Sequence, residues 1–182
     1  MKKIIAFALA AVLLLALAAC GNKTAEKEPE PAEEPIANMV NPWSEVADAA
    51  AAAEGAGVGY FEVPEDGAQT GGGTLAWYVF RCMKGIAEAR GAIGAAELTV
   101  RKGLKQDGED ISGDYTEYKY DWIQDVGGTS VKCVGNEDGR TMRALWTSDN
   151  FSYCILVRGQ GDLYDTYGLD AETIAALVGA IQ

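Results

Sequence analysis

Residues 129–158 read TSVKCVGNEDGRTMRALWTSDNFSYCILVR, and this stretch decides the fold. Its apolar residues fall into three runs, at residues 129–135, 140–147 and 151–158. Short turns rich in Asn, Asp and Gly separate these runs, at residues 136–139 and 148–150. Turns of three or four residues join strands that are antiparallel neighbours. The stretch therefore predicts three consecutive antiparallel strands.

The residues upstream predict further strands. Before Gly127-Gly128, charged and aromatic residues alternate from Tyr115 to Val126, as they do in a half-buried strand. Glycine-rich or proline-containing turns bound four more runs: residues 58–63, 75–83, 86–90 and 97–102. In the run at 75–83, Leu75, Trp77 and Val79 alternate with other apolar residues, so both faces of the predicted strand are apolar. This pattern indicates a central and covered strand.

Two helices are predicted near the ends of this strand-rich region. The first begins at the capping residue Asn41, has Pro42 in its first turn and ends at Gly55. The second begins after the capping residue Asp170, with a hydrophobic staple between Leu169 and Ile174. Each helix has an apolar face, made of Trp43, Val46, Ala47 and Ala50 in the first and Ile174, Leu177, Val178 and Ile181 in the second. We therefore expect an α+β fold, a twisted, meander-rich antiparallel sheet of about six to eight strands with both helices packed on one face.

The first 20 residues are typical of a bacterial lipoprotein signal. Lys2-Lys3 precede a continuous apolar run from Ile4 to Ala19, which ends in Leu17-Ala18-Ala19-Cys20. This pattern predicts cleavage between Ala19 and Cys20 and a diacylglyceryl group on the Cys20 thiol. The rival interpretation is a transmembrane helix, but the run is shorter than the roughly 20 residues that span a bilayer. Two acyl chains hold a protein stably on a membrane, so we expect an anchor on the extracytoplasmic face of the cell membrane.

The domain organisation follows from this signal and from a change in composition at residue 42. Residues 1–19 are the predicted signal peptide. Residues 20–41 combine the lipidated cysteine with a linker rich in glutamate and proline, which cannot bury enough apolar surface to fold. Residues 42–182 are expected to form a single domain.

Charge and composition exclude several classes of function. The net charge is −12 for the whole chain, which makes nucleic acid an unlikely partner because binding it requires Lys and Arg against phosphates. Histidine is absent, which excludes Ser-His-Asp and Cys-His catalysis and imidazole metal sites within this polypeptide. We expect no cofactor.

Three cysteines remain besides Cys20: Cys82, Cys133 and Cys154. Their spacing matches no zinc pattern. An exported protein can form a disulfide, but three thiols leave at least one free or paired between molecules, and small buried thiols can simply fill a core. Cys133 and Cys154 lie on predicted strands with a third strand between them. That separation of about 10 Å exceeds the reach of a disulfide.

A few polar and aromatic residues are candidates for contact with a ligand. Tyr118, Tyr120 and Trp122 share one face of the strand predicted at 115–126, and such a row either stacks on sugars or peptides or packs beneath a helix. Asp114, Asp162 and Asp165 are the carboxylates nominated for a ligand or for catalysis. Four acidic residues in the loop 103–114 suggest calcium, but a count from Asp107 places Ser112 and Tyr118 where the calcium-loop pattern needs Gly and Glu. An irregular cation site and a solvated loop both stay open, and we predict no specific metal site.

Several short blocks resemble a known family. They are Asp110-Ile111-Ser112-Gly113-Asp114-Tyr115, then Tyr118, Val126-Gly127-Gly128, Gly135-Asn136, Ala144, Trp146-Thr147 and Ser152-Tyr153. As a set they are similar to an uncharacterised extracytoplasmic domain found in lipoproteins and anti-sigma-factor-like membrane proteins of Gram-positive bacteria. The resemblance covers roughly residues 41–181. It implies an extracytoplasmic domain of unknown function and assigns no catalytic residue.

These observations favour a membrane-anchored, non-enzymatic binding or sensing domain whose partner is a cell-wall component or a membrane protein. Two other functions stay open. One is a carrier that holds a lipid or a lipoprotein in an apolar cavity between sheet and helices. The other is an enzyme that uses paired carboxylates on a glycan.

Overall fold

The computed structural model describes residues 41–105 and 110–182. These residues form nine strands and two α-helices. In order they are β1 (Ser44–Val46), α1 (Ala49–Ala56), β2 (Gln69–Thr70), β3 (Gly73–Met83), β4 (Ile86–Ile93), β5 (Ala96–Leu104), β6 (Tyr120–Val126), β7 (Thr129–Gly135), β8 (Arg143–Ser148), β9 (Phe151–Gly159) and α2 (Ala171–Ala180). A short 3₁₀ helix, Gly161–Leu163, lies between β9 and α2.

The strands form one antiparallel sheet in the order β1-β3-β4-β5-β9-β8-β7-β6, with β2 paired beside β3. Two meanders build it. The first consists of β3, β4 and β5, which are consecutive neighbours. The second begins at the far edge of the sheet with β6 and continues through β7 and β8 to β9, which pairs with β5. The residues between β5 and β6 therefore connect the inner strand β5 to the outermost strand of the sheet.

The three strands predicted from residues 129–158 are confirmed. β7 and β9 match the predicted ranges closely and β8 lies between them, so the turn residues correctly indicated consecutive antiparallel neighbours. The α+β class is also confirmed, but with nine strands in the described residues the sheet is larger than the six to eight expected. Two strand predictions need correction. Residues 58–63 form no strand, and β6 begins at Tyr120 rather than at Tyr115.

The first helix begins later than the sequence suggested. Ser44–Val46 pair with Cys82, Arg81 and Phe80 of β3, so these residues are extended and cannot belong to a helix. Asp48 is the cap instead: its carboxylate accepts a hydrogen bond from the backbone N–H of Ala51 at 2.8 Å. The helix ends at Gly57, whose φ of 73° is left-handed, whereas the predicted end, Gly55, lies inside the helix.

A bulge in β3 changes which of its side chains face the core. The register with β4 shifts between Trp77 and Val79, so strict alternation fails at that point. Leu75 and Trp77 before the bulge and Phe80 and Cys82 after it therefore belong to the same core. β3 is an interior strand, as predicted, because β1 pairs with one side of it and β4 with the other, but it is not covered on both faces, since Tyr78 is 70% exposed.

The second helix was predicted correctly. The Asp170 carboxylate accepts a hydrogen bond from Thr173 N at 2.8 Å, and Ile174, Leu177 and Val178 are buried. α1 contacts β3 and β4, and α2 contacts β6. One core cluster contains the buried apolar residues of both helices together with core-facing residues of the strands, such as Leu98 of β5 and Ile155 of β9.

Candidate functional site

Residues 110–119, which belong to the connection between β5 and β6, lie on the sheet face opposite the apolar core. We call these residues the crossover segment. Ile111 and Ser112 are buried in it. Arg101 of β5 donates hydrogen bonds to the carbonyl oxygens of Ile111, at 3.0 Å, and Ser112, and Arg143 of β8 donates to the carbonyl of Asp114 at 2.7 Å. Arginines that project from the sheet thus hold the crossover segment in place.

Asp114 is the centre of a cluster of polar groups on this face. Its side chain is only 7% exposed. One carboxylate oxygen lies 2.7 Å from Arg158 Nη2 and accepts a hydrogen bond from Thr116 Oγ1 at 2.7 Å. The other accepts a hydrogen bond from the Tyr118 hydroxyl at 2.6 Å. Arg143 Nη1 is 3.7 Å from Asp114 and 3.3 Å from Asp110, so it adds a second cation to the cluster.

These contacts fix the ionisation of the cluster. Burial alone would raise the pKa of Asp114, but hydrogen bonds from Tyr118, Thr116 and Arg158 outweigh it and lower the pKa to about 2. Burial and the hydrogen bond to Asp114 raise the pKa of Tyr118 to about 12. At neutral pH Asp114 is therefore an ionised acceptor, and Tyr118 keeps its proton. Neither residue is suited to transfer a proton to or from a substrate near neutral pH.

A second ion cluster lies farther along the same face. Glu88 of β4 is fully buried and lies between Arg81 of β3 and Arg101 of β5. The register places the three residues directly opposite one another, and Arg101 Nε is 2.6 Å from Glu88 Oε2. The ring of Trp43 covers the guanidinium of Arg81 at 4.4 Å. A shift in the register of β3, β4 or β5 would therefore leave a buried charge without its partner.

On the opposite face, a lysine is buried at the edge of the apolar core. Lys102 is 0% exposed, and its Nζ donates a hydrogen bond to the carbonyl oxygen of Tyr60 at 2.7 Å. The same Nζ lies 3.4 Å from the ring centroid of Tyr60 and 4.2 Å from that of Phe151. Burial lowers the pKa of Lys102, and the charge of Glu62 opposes that effect. The aromatic rings compensate part of the cost of burying this charge.

A cleft of about 340 Å³ opens beside this lysine. Trp146 and Tyr153, which line the cleft, stack with ring centroids 5.2 Å apart. Tyr60, Asp149 and Ser148 also line it. The cleft is therefore part aromatic and part polar. A small polar molecule fits this lining better than an acyl chain does.

The structure brings together only some of the candidate residues named from the sequence. Asp114 and Tyr118 form one cluster. Tyr120 and Trp122 lie on β6, and Tyr118 lies in the crossover segment before that strand begins, so the predicted row of three aromatic residues does not form. Asp162 and Asp165 are exposed near the 3₁₀ helix. Among the described residues, no ion pair or hydrogen bond joins either of them to Asp114.

Four basic residues of these clusters were not predicted from the sequence. Arg101, Arg143 and Arg158 hold the crossover segment, and Lys102 lies among aromatic rings. A usable signal was present for Arg101 and Arg143, because each lies inside a predicted strand next to an apolar residue, whereas Lys102 and Arg158 are the last residues of theirs. A charged residue in such a position needs a partner.

Cys82, Cys133 and Cys154 are free and buried. Cys133 lies opposite Ala144 of β8, and Cys154 lies opposite Leu145 of the same strand, so β8 separates the two as expected. Burial raises the pKa of both Cys133 and Cys154. These thiols are therefore poor nucleophiles and act as small core residues.

Two further findings concern the described residues alone. No group of three potential metal ligands occurs among them, and none of their helices is long and apolar enough to cross a membrane. Asp107 and Glu109, which suggested a calcium loop, lie outside the described residues, as do the predicted signal, Cys20 and the linker up to residue 40.

A scan against protein-family models, a search of curated proteins and a search of solved structures each gave no match to this chain. The resemblance to an extracytoplasmic domain of Gram-positive lipoproteins therefore stays a prediction from the sequence blocks.

Proposed function

We propose that this chain is a lipoprotein, anchored through an acylated Cys20 to the extracytoplasmic face of the cell membrane, whose folded domain binds a partner and catalyses no reaction. The signal at residues 1–20 supports the anchor, and the acidic linker supports a domain held away from the lipid. Residues Asn41–Gln182 form one compact unit, which supports a separate domain after the linker.

The state of Asp114 is the observation that carries the non-enzymatic part of the proposal. A carboxylate-dependent glycosidase needs one carboxyl group with a raised pKa, which donates a proton to the leaving group. The pKa of Asp114 is instead lowered to about 2, and its oxygens are occupied by Tyr118, Thr116 and Arg158. Asp114 therefore serves structure better than catalysis.

The proposal includes the arrangement of both helices on one face of the sheet. Gly55 of α1 lies against Cys82 of β3, and Leu177 of α2 belongs to the same core cluster as Cys82. In this arrangement the opposite face of the sheet carries the crossover segment and the strand arginines that bind it. Binding surfaces are then left at the sheet edges and at the cleft beside Tyr60.

Metabolic labelling with an alkyne analogue of palmitate tests the anchor. We expect the wild-type chain to incorporate the label and to fractionate with membranes, and Cys20→Ser to lose both properties. Equal labelling of the two chains would refute the anchor.

Incubation with purified cell-wall glycan tests the absence of catalysis. We expect the chain to release no more reducing ends than buffer. Release that disappears in Asp114→Asn would instead establish the carboxylate-dependent enzyme. For the carrier, the matching measurement is mass spectrometry of lipids extracted from the purified chain, in which a stoichiometric lipid would contradict the proposal.

A further inference from the structure

The outermost strand β6 offers unpaired backbone groups in a defined order. Among the described residues, β7 is the only strand paired with β6. Val126 of β6 and Thr129 of β7 flank a two-residue turn, so these two residues form a hydrogen-bonded pair. From there, hydrogen-bonded and non-hydrogen-bonded pairs alternate along the antiparallel ladder. The backbone N–H and C=O groups that point away from β7 are those of Asp121, Ile123 and Asp125. We call these three residues the β6 edge.

The side chains of the β6 edge share one face of the sheet, because residues two apart in a strand point the same way. All three are exposed, and Ile123 is 64% exposed. Among the described residues, neither aspartate forms an ion pair. One carboxylate oxygen of Asp125 accepts a hydrogen bond from Gly128 N at 3.2 Å, and the other oxygen can still accept a hydrogen bond from a partner. The edge thus presents an apolar side chain between two carboxylates.

We propose that the β6 edge binds an extended segment of another protein as an additional strand. The backbone groups of Asp121, Ile123 and Asp125 supply the hydrogen bonds. The segment carries Lys or Arg opposite each aspartate and an apolar residue opposite Ile123, a basic–x–apolar–x–basic pattern. This inference rests on the proposed binding function and names its class of partner.

Charge decides between this partner and two other occupants. In an antiparallel pair of two β6 strands centred on Ile123, Asp121 of each copy lies opposite Asp125 of the other, and like charges directly opposite destabilise a strand pair. The linker of this chain carries Glu26, Glu28 and three more glutamates, so it would add negative charge to a negative edge. A basic segment is the occupant that the edge attracts.

Hydrogen exchange measured by NMR on the full chain, in mild detergent, gives a residue-specific test. The probe is a capped peptide, Thr-Arg-Thr-Val-Thr-Arg-Thr. We expect it to slow exchange at the amides of Asp121, Ile123 and Asp125, while Trp122 and Gln124 change little because their amides already bond to β7. We also expect a Kd below about 1 mM, and a peptide with Glu in place of both Arg to bind about tenfold more weakly.

A pair of charge-matched variants assigns the effect to the edge. Asp121→Lys with Asp125→Lys should reverse the preference between the Arg and Glu peptides. Asp138→Lys with Asp162→Lys changes the net charge equally at exposed sites elsewhere and should leave the preference intact. A peptide with N-methylated backbone amides should not bind, which tests strand addition without altering the protein.

Three results would overturn the inference. No protection of the edge amides at about 1 mM peptide would mean that the aspartates only guard the edge against aggregation. Equal effects of the two charge variants would mean nonspecific attraction. Protection of the same amides by concentration-dependent dimerisation, without peptide, would make a second copy the occupant. None of these readouts depends on lipid at Cys20, so they are distinguishable from failure of the anchor.

Discussion

Replacement of Asp114 by Asn tests whether the crossover segment is held by an ionised carboxylate. The substitution keeps the size and the hydrogen-bonding oxygen of the side chain but removes the charge that faces Arg158 and Arg143. It also leaves the guanidinium of Arg158, which is 16% exposed, without its anion, whereas Arg143 keeps Asp110 at 3.3 Å. We therefore expect a loss of stability at pH 7 with no change in the strand order.

The magnitude follows from the pKa of Asp114. A pKa of about 2 in the folded protein, against 3.8 for the free side chain, corresponds to about 2 kcal/mol of stability at pH 7. Because the folded pKa is lowered, this stability is fully present above pH 4 and is lost as the pH falls towards 2. For a domain of this size, about 2 kcal/mol is a shift in Tm of roughly 5–10 °C.

Urea denaturation followed by tryptophan fluorescence, at several pH values between 7 and 2.5, measures the effect. Wild type and Asp114→Asn should differ by about 2 kcal/mol at pH 7 and converge as the pH approaches 2. Asp162→Asn is the control, since Asp162 is exposed, and it should match wild type throughout. An Asp114→Asn chain as stable as wild type at pH 7, or a difference that does not shrink in acid, would refute the reasoning.

Two more predictions concern the core face. Gly55→Ala should destabilise the protein by about 1–3 kcal/mol despite the higher helix propensity of Ala, because the added Cβ would overlap Cys82 Sγ. In a Cys82→Ala background the same change should cost much less. A double-mutant cycle of urea denaturation measures the difference. The pKa of Lys102 is lowered in the folded protein, so the unfolded chain binds more protons than the folded one as the pH rises towards 10.5, and wild type should become more stable in that range. Lys102→Met should remove this rise in stability. An unchanged pH profile in denaturant titrations would contradict the lowered pKa of Lys102.

The parts of the fold that local chemistry decides were predictable from the sequence. The turns at residues 136–139 and 148–150 indicated the order of β7, β8 and β9, and Asp170 indicated the start of α2. The parts that depend on distant partners were not. Ser44–Val46 are extended because β3 pairs with them, which overrides the helical spacing of Trp43 and Val46. The bulge after Trp77 likewise has no local signature.

The candidate site shows the same division. Asp114 and Tyr118 were named from the sequence, because a carboxylate and an aromatic residue stand out in a loop. Their partner Arg158 lies 40 residues beyond Tyr118, and only the pairing of β9 with β5 brings it beneath the crossover segment. Once the register is known, the other ion cluster follows directly, since Arg81, Glu88 and Arg101 are opposite one another across three strands.

The location of the acidic residues matters more for function than their number. Asp114 and Glu88 are buried against arginines, so their charges are neutralised within the fold and are not accessible to a ligand. Asp121 and Asp125 are exposed beside backbone groups that have no strand partner among the described residues. A charge that already has a partner stabilises the domain, whereas a charge at an unpaired edge can select what binds there. The acidic edge strand β6, rather than the more conspicuous cluster around Asp114, is therefore where recognition by this domain should be sought.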